Sequence, residues 1–141
     1  MKGVPGEADK IVKTRISGEL RIVREGGAQG LDFAGELYRL PTGSGWAITS
    51  GDMTFVVRTD EVRLTRRGQT TQEQRFRVGH ALPGTIGTEF GTLQAEAVTH
   101  RLLSDLTTAG GTVEWEYDMR MADQELGRCA ITLLIREETT E

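Results

Sequence analysis

Thr112-Val113-Glu114-Trp115-Glu116-Tyr117-Asp118-Met119-Arg120-Met121 decides the fold of this chain. Val113, Trp115, Tyr117, Met119 and Met121 are all apolar or aromatic, and none of the residues between them is. Successive side chains of a strand point to opposite faces, so the segment has one wet face and one dry face. A helix would scatter both sets around its circumference.

The pattern repeats on either side. Residues 10–24 alternate Val12, Thr14, Ile16, Gly18, Leu20 and Ile22 against Lys13, Arg15, Ser17, Glu19 and Arg21. Gly18 within that strand predicts a bulge or bend, as at a barrel corner. Residues 33–40, 46–50 and 53–60 read as three short strands. Pro41-Thr42-Gly43-Ser44-Gly45 and Gly51-Asp52 punctuate them as turns. Residues 61–67 put Val62, Leu64 and Arg66 on one face; residues 73–79 put Gln74, Phe76 and Val78 on one face. The stretch between them, Gly68 to Gln72, has hairpin length. In the last strand, 128–137, Cys129, Ile131, Leu133 and Ile135 point inward, after a hairpin at Asp123-Gln124-Glu125-Leu126-Gly127.

Residues 92–107 fit two patterns. Leu93, Ala95, Ala97 and Thr99 have strand spacing, whereas Ala95, Val98, Leu102 and Leu106 have helical spacing and end at Gly110-Gly111 as at a helix C-cap. The strand is preferred because everything around it is strand.

The chain has 141 residues, about one domain's worth. Nine or ten strands joined by short turns predict an all-β fold. The expected form is one closed antiparallel β-barrel of about eight to ten strands, because closure removes the exposed edges of a sheet. The barrel is expected over 10–137, between flexible ends at 1–9 and 138–141. Such an interior is filled by side chains or holds one small ligand. The 18 glycines and only 3 prolines agree with many turns. No run is long and apolar enough for a membrane helix, and the N-terminus lacks the apolar stretch of a signal peptide. One cysteine, Cys129, excludes an internal disulfide and a cysteine zinc cluster. A soluble cytoplasmic protein is expected, and a homodimer is open.

The order of three stretches carries a resemblance. Val62-Arg63-Leu64-Thr65-Arg66-Arg67-Gly68 has an apolar-x-apolar-x-Arg-x-Gly form. Ile86-Gly87-Thr88-Glu89-Phe90-Gly91-Thr92-Leu93 follows, then Thr99, and Glu114-Trp115-Glu116-Tyr117 opens the penultimate strand. This order resembles the YwiB-like family, bacterial proteins of unknown function. The resemblance implies a calycin-like barrel related in shape to lipocalins and other ligand carriers. It implies no established activity. The chain departs from the family pattern at Ile86–Gly91, where an aromatic-x-Thr-Pro-x-Gly stretch is expected, and near Ser50-Gly51.

Arg66 is the most informative single residue. Alternation puts it on the face of Val62 and Leu64, toward the interior, where a guanidinium needs a partner. It would hold a ligand carboxylate or phosphate through its planar fork of donors, or pin a barrel end through protein groups. On the strand reading, Arg101 follows Ala95, Ala97 and Thr99 and joins Arg66. Tyr38, Trp46, Phe55, Phe76, Trp115 and Tyr117 would line an apolar pocket beside them, or simply fill the core. A second surface lies on the hairpin 61–79, where Arg63, Arg67, Arg75 and Arg77 face outward. Residues 61–80 carry net +3 on a chain whose net charge is −4. Such a patch could recruit an anionic macromolecular partner.

Catalytic and metal constellations are not apparent. His80 and His100 lack metal-ligand spacing. There is no Gly-x-Ser-x-Gly, and Cys129 lies on a dry face. Glu114 and Glu116 lie on a wet one. No cofactor and no catalytic residue is expected. Two readings follow: a non-enzymatic barrel binding a small apolar or amphipathic anionic ligand, or an interaction module with a filled barrel and a working exterior.

Overall fold

A computed structural model describes residues 12–41 and 45–138. Ten strands follow in order: β1 (Lys13–Arg24), β2 (Gly27–Arg39), β3 (Trp46–Ser50), β4 (Met53–Val57), β5 (Glu61–Arg67), β6 (Thr71–Arg77), β7 (Ala81–Thr88), β8 (Gly91–Thr107), β9 (Gly110–Met121) and β10 (Gln124–Glu137). Each pairs antiparallel with the next, and β1 also pairs with β10, closing the barrel. The turns β1–β2, β3–β4, β5–β6, β7–β8 and β9–β10 crowd one end, called the mouth below. β1 enters and β10 leaves at the other end. The expected loose ends, 1–9 and 138–141, lie outside the described residues except for Glu138.

The interior is filled. Trp115, Phe76, Phe55 and Tyr117 meet in the middle of the barrel. The Trp115 ring lies 5.5 Å from Phe76 and 6.3 Å from Phe55, and the rings of Phe76 and Tyr117 are 4.6 Å apart. Ile16, Leu37, Ile48, Val62, Val113 and Leu133 pack around them. Aromatic rings of this size occupy the space that a ligand would need.

Two local expectations change, one unassigned stretch is strand, and the ambiguity at 92–107 resolves in favour of the expected strand. Gly18 makes no bulge, since its pairing with both neighbours is continuous. It makes room instead: a Cβ there would lie 2.9 Å from Phe33 Cζ and against the carbonyl oxygen of Leu134. The second strand begins at Gly27, six residues before the expected start at 33. β7 lies in a stretch to which the alternation assigns no strand, since Pro83, Gly84 and Gly87 interrupt it. Gly84 has a packing reason to be there, given below. The doubtful stretch 92–107 is strand, and a bulge explains its double pattern. Thr99 pairs with Tyr117 and Arg101 with Glu116, so His100 is the extra residue. Ala95, Ala97 and Thr99 face inward before it; Leu102 and Leu106 face inward after it. One inserted residue in a period of two imitates helical spacing.

β6 pairs with β7 only from Thr71 to Gln74, and the two strands part beyond that point. Gln74 closes the gap. Its buried amide Nε2 donates to the carbonyl oxygens of Leu82 and Arg75, each at 3.1 Å. Its partner across the ladder is Gly84, and a Cβ there would collide with Gln74 Oε1. Pro83 stands where β6 has already left, so the ladder tolerates its missing N–H.

Cys129 is buried beside Tyr117, its partner across the β9–β10 ladder. Burial, with the neighbouring Cys129, pushes the Tyr117 hydroxyl well above its ordinary range. A thiol-specific reagent is expected to leave Cys129 unmodified in the native protein and to label it on denaturation. Fast labelling of the folded protein at neutral pH would place the thiol on the outer face and refute this register.

Candidate functional site

The mouth carries an open cleft of about 460 Å³. Leu20 and Ile22 of β1, Leu31 and Phe33 of β2 and Met53 of β4 form its apolar wall, and Arg66 stands at its edge with Asp52. These side chains belong to the inward-facing rows of their strands. They lie so far along the barrel axis that the filled centre no longer covers them. Leu31 is accordingly 57% exposed.

Arg66 does share the inward row of Val62 and Leu64, but it is not buried: its side chain is 47% exposed. It pairs opposite Met53, one step from the β5–β6 turn. Its Nε lies 3.6 Å from Asp52 Oδ2, an ion pair but not a hydrogen bond. The expected interior guanidinium is thus a rim guanidinium, because the strand ends before Arg66 reaches the core.

Arg101 does not join it. The bulge at His100 turns Arg101 outward, where it bonds Glu114 at 3.2 Å and Glu116 at 3.1 Å. Trp115 and Tyr117 are core rather than pocket lining. Trp46 packs against the core edge with Arg39 over its ring, at the end opposite the mouth. Tyr38 lies on the outer row, under Lys13 Nζ at 5.2 Å.

The outward arginines take partners on the barrel itself. Arg63 and Arg75 face each other across the β5–β6 ladder, an unfavourable like-charge pair. Each is offset by a diagonal carboxylate: Arg63 by Glu73 at 3.5 Å, Arg75 by both oxygens of Glu61 at 3.0 Å. Arg77 meets Asp60 at 3.5 Å. Arg67, beside the β5–β6 turn, makes no ion pair among the described residues.

The hydrogen bonds from Arg75 hold the Glu61 carboxyl below its ordinary value of 4.5. A carboxylate depressed on folding contributes stability above its unfolded value and loses it as pH falls through the folded one. Wild type is therefore expected to be more stable than Glu61→Gln at neutral pH, and the two denaturant midpoints are expected to converge below pH 4.5. A gap between them that stays constant with pH would show that the carboxylate's charge is not what stabilises.

On the far outer face, Asp118 receives hydrogen bonds from Arg128 Nε and His100 Nε2, both at 2.8 Å. The Arg128 bond, followed by that of His100, holds the Asp118 carboxyl below its usual range. His80, in the β6–β7 turn, faces the carbonyl oxygen of Val78. Among the described residues, no three or more His, Cys, Asp or Glu side chains are placed to hold a metal. No helix among them is long and apolar enough to cross a membrane.

Reading the residues one by one missed the apolar wall. Gln29, Leu31 and Phe33 continue the inward row of β2 toward the mouth, but the strand was expected to start only at 33. The alternation of those three residues was the available signal.

Fold and surface together define a calycin-like antiparallel barrel with a filled centre and an open, arginine-edged mouth. Residues 48–133, from β3 to β10, match the family described as "Domain of unknown function (DUF1934)", and the chain belongs to that family. No curated protein matches. Among solved structures, the ywiB protein from Bacillus subtilis is similar, with a TM-score of 0.68 at 20% identity, over 94% of this chain and 99% of that one. That likeness concerns the fold, and it meets the resemblance drawn above from three stretches of sequence.

Proposed function

We propose that this domain is a non-enzymatic binder of a small anionic amphiphile, held at the mouth of the barrel and not in a deep calyx. The observation that carries the reading is Arg66, half exposed at the edge of an apolar wall that includes the exposed Leu31. The cleft falls within the roughly 300–1,000 Å³ of ligand sites. An apolar chain would cover Leu20, Ile22, Leu31, Phe33 and Met53, and its acidic group would replace Asp52 as the partner of Arg66. The cytoplasm is the compartment this proposal assigns. The competing reading, an anionic macromolecule on Arg63, Arg67, Arg75 and Arg77, has less support. Such a partner would first have to displace the carboxylates of Glu73, Glu61 and Asp60.

Titration of wild type and Arg66→Ala with decanoate, followed by calorimetry, tests the proposal. Arg66→Ala is expected to weaken binding by about tenfold or more, as for loss of a charge-assisted hydrogen bond. Its ligand-free stability is expected to change by less than about 1 kcal/mol, because the Asp52 pair is exposed. No binding by wild type, or equal binding by both proteins, would refute it.

A further inference from the structure

The acidic group expected at Arg66 can be specified further. We infer that it is a phosphate monoester, gripped by Arg66 and Arg67 together over the β5–β6 turn; this rests on the amphiphile reading above.

Arg66 lines two clefts at once. One is the apolar cleft of the mouth. The other, of about 380 Å³, is polar and lies along the β5–β6 turn, where Arg67, Gly68, Thr71, Gln72, Glu73 and Thr85 complete it. A ligand with its chain in the first cleft and its head on Arg66 sits at the strand end that the second cleft shares, and Arg67, the next residue, leaves β5 on the other face of that same end. Arg67 waits there without an ion pair among the described residues, whereas Arg63, Arg75 and Arg77 each have one. Glu73 is the acidic group of this cleft, and Arg63 faces it at 3.5 Å.

Asp52 shows what the head must surpass. Its side chain lies over Gly68, where a Cβ would collide with Oδ2, and its backbone oxygen accepts the Arg67 N–H at 3.0 Å. The aspartate thus already offers Arg66 one negative charge from a short tether. A carboxylate ligand would exchange one such charge for another. A phosphate monoester carries about −1.5 to −2 at neutral pH and three acceptor oxygens. It can satisfy the forks of Arg66 and Arg67 together, with the hydroxyls of Thr71 and Thr85 nearby as further donors.

Calorimetric titrations with decyl phosphate, decanoate and inorganic phosphate separate the possibilities. Wild type is expected to bind decyl phosphate at least about tenfold tighter than decanoate. Arg67→Ala is expected to remove that preference while leaving decanoate affinity unchanged. Asp52→Asn, which removes the resident charge, is expected to strengthen binding of both. Inorganic phosphate is not expected to displace decyl phosphate at equal concentration. Equal affinity for the two amphiphiles, or an unaltered preference in Arg67→Ala, would overturn the phosphate head and leave the amphiphile reading standing. No binding of either would overturn both. Displacement by inorganic phosphate would overturn the amphiphile and leave a free-anion site. Arg67 is exposed, and matching thermal melts would show that its variant is folded.

Discussion

Trp115→Ala is expected to lower the unfolding free energy by about 3–5 kcal/mol, the range for deleting a large aromatic from a core. The indole is fully buried, with Phe55 and Phe76 against it. Because these rings come from β4, β6 and β9, no one strand can move to fill the hole. The loss is large beside a typical domain stability of about 5–15 kcal/mol. It would appear in the denaturant midpoint and in faster labelling of Cys129. Trp115→Phe is the informative control. Trp115 Nε1 has no hydrogen-bond partner among the described residues, so phenylalanine removes an unpaired buried donor while keeping much of the packing. Its cost is expected to be clearly smaller. A loss below about 1 kcal/mol for the alanine variant would mean that the indole does not fill the barrel centre, and the case against a deep calyx would fall with it.

Gln74→Leu is expected to cost about 1–3 kcal/mol despite near-equal volume, because it leaves two part-buried carbonyls without their donor. The carbonyl oxygens of Leu82 and Arg75 take Gln74 Nε2 where β6 and β7 part. Gly84→Ala is expected to destabilise through the same group, since its Cβ would push against Gln74 Oε1. The double variant therefore tests the mechanism. If Gln74 is the seal, the two losses do not add, because a leucine side chain has no amide for the new methyl to strand. Strict additivity would show that Gly84 is required for some other reason.

The fold was legible where period two ran unbroken, as from Thr112 to Met121. It blurred where a single residue shifted the phase. His100 leaves no mark in composition, yet it moves Leu102 inward and Arg101 outward, and so removed Arg101 from the expected site. β7 was hidden because Gly84 stands on an inward position where a strand pattern wants an apolar side chain. For Arg66 the alternation identified the correct row but not the depth. Which face a side chain takes is local information, whereas its distance from the barrel centre depends on strand tilt and length. The outer arginines show the same division. Their face followed from alternation, but the diagonal pairing of Arg75 with Glu61 follows from strand register, which needs the partner strand.

The hydrogen bonds between β1 and β10 make the sheet a ring without a first or last strand. Glu138 N–H reaches the carbonyl oxygen of Arg15, so the described chain enters and leaves the barrel side by side. Both crossings lie at the end away from Arg66. The neighbour relations of all ten strands would survive if the chain were cut at a turn and Val12 joined to Glu138 by a linker, a circular permutation of the kind that adjacent chain crossings permit.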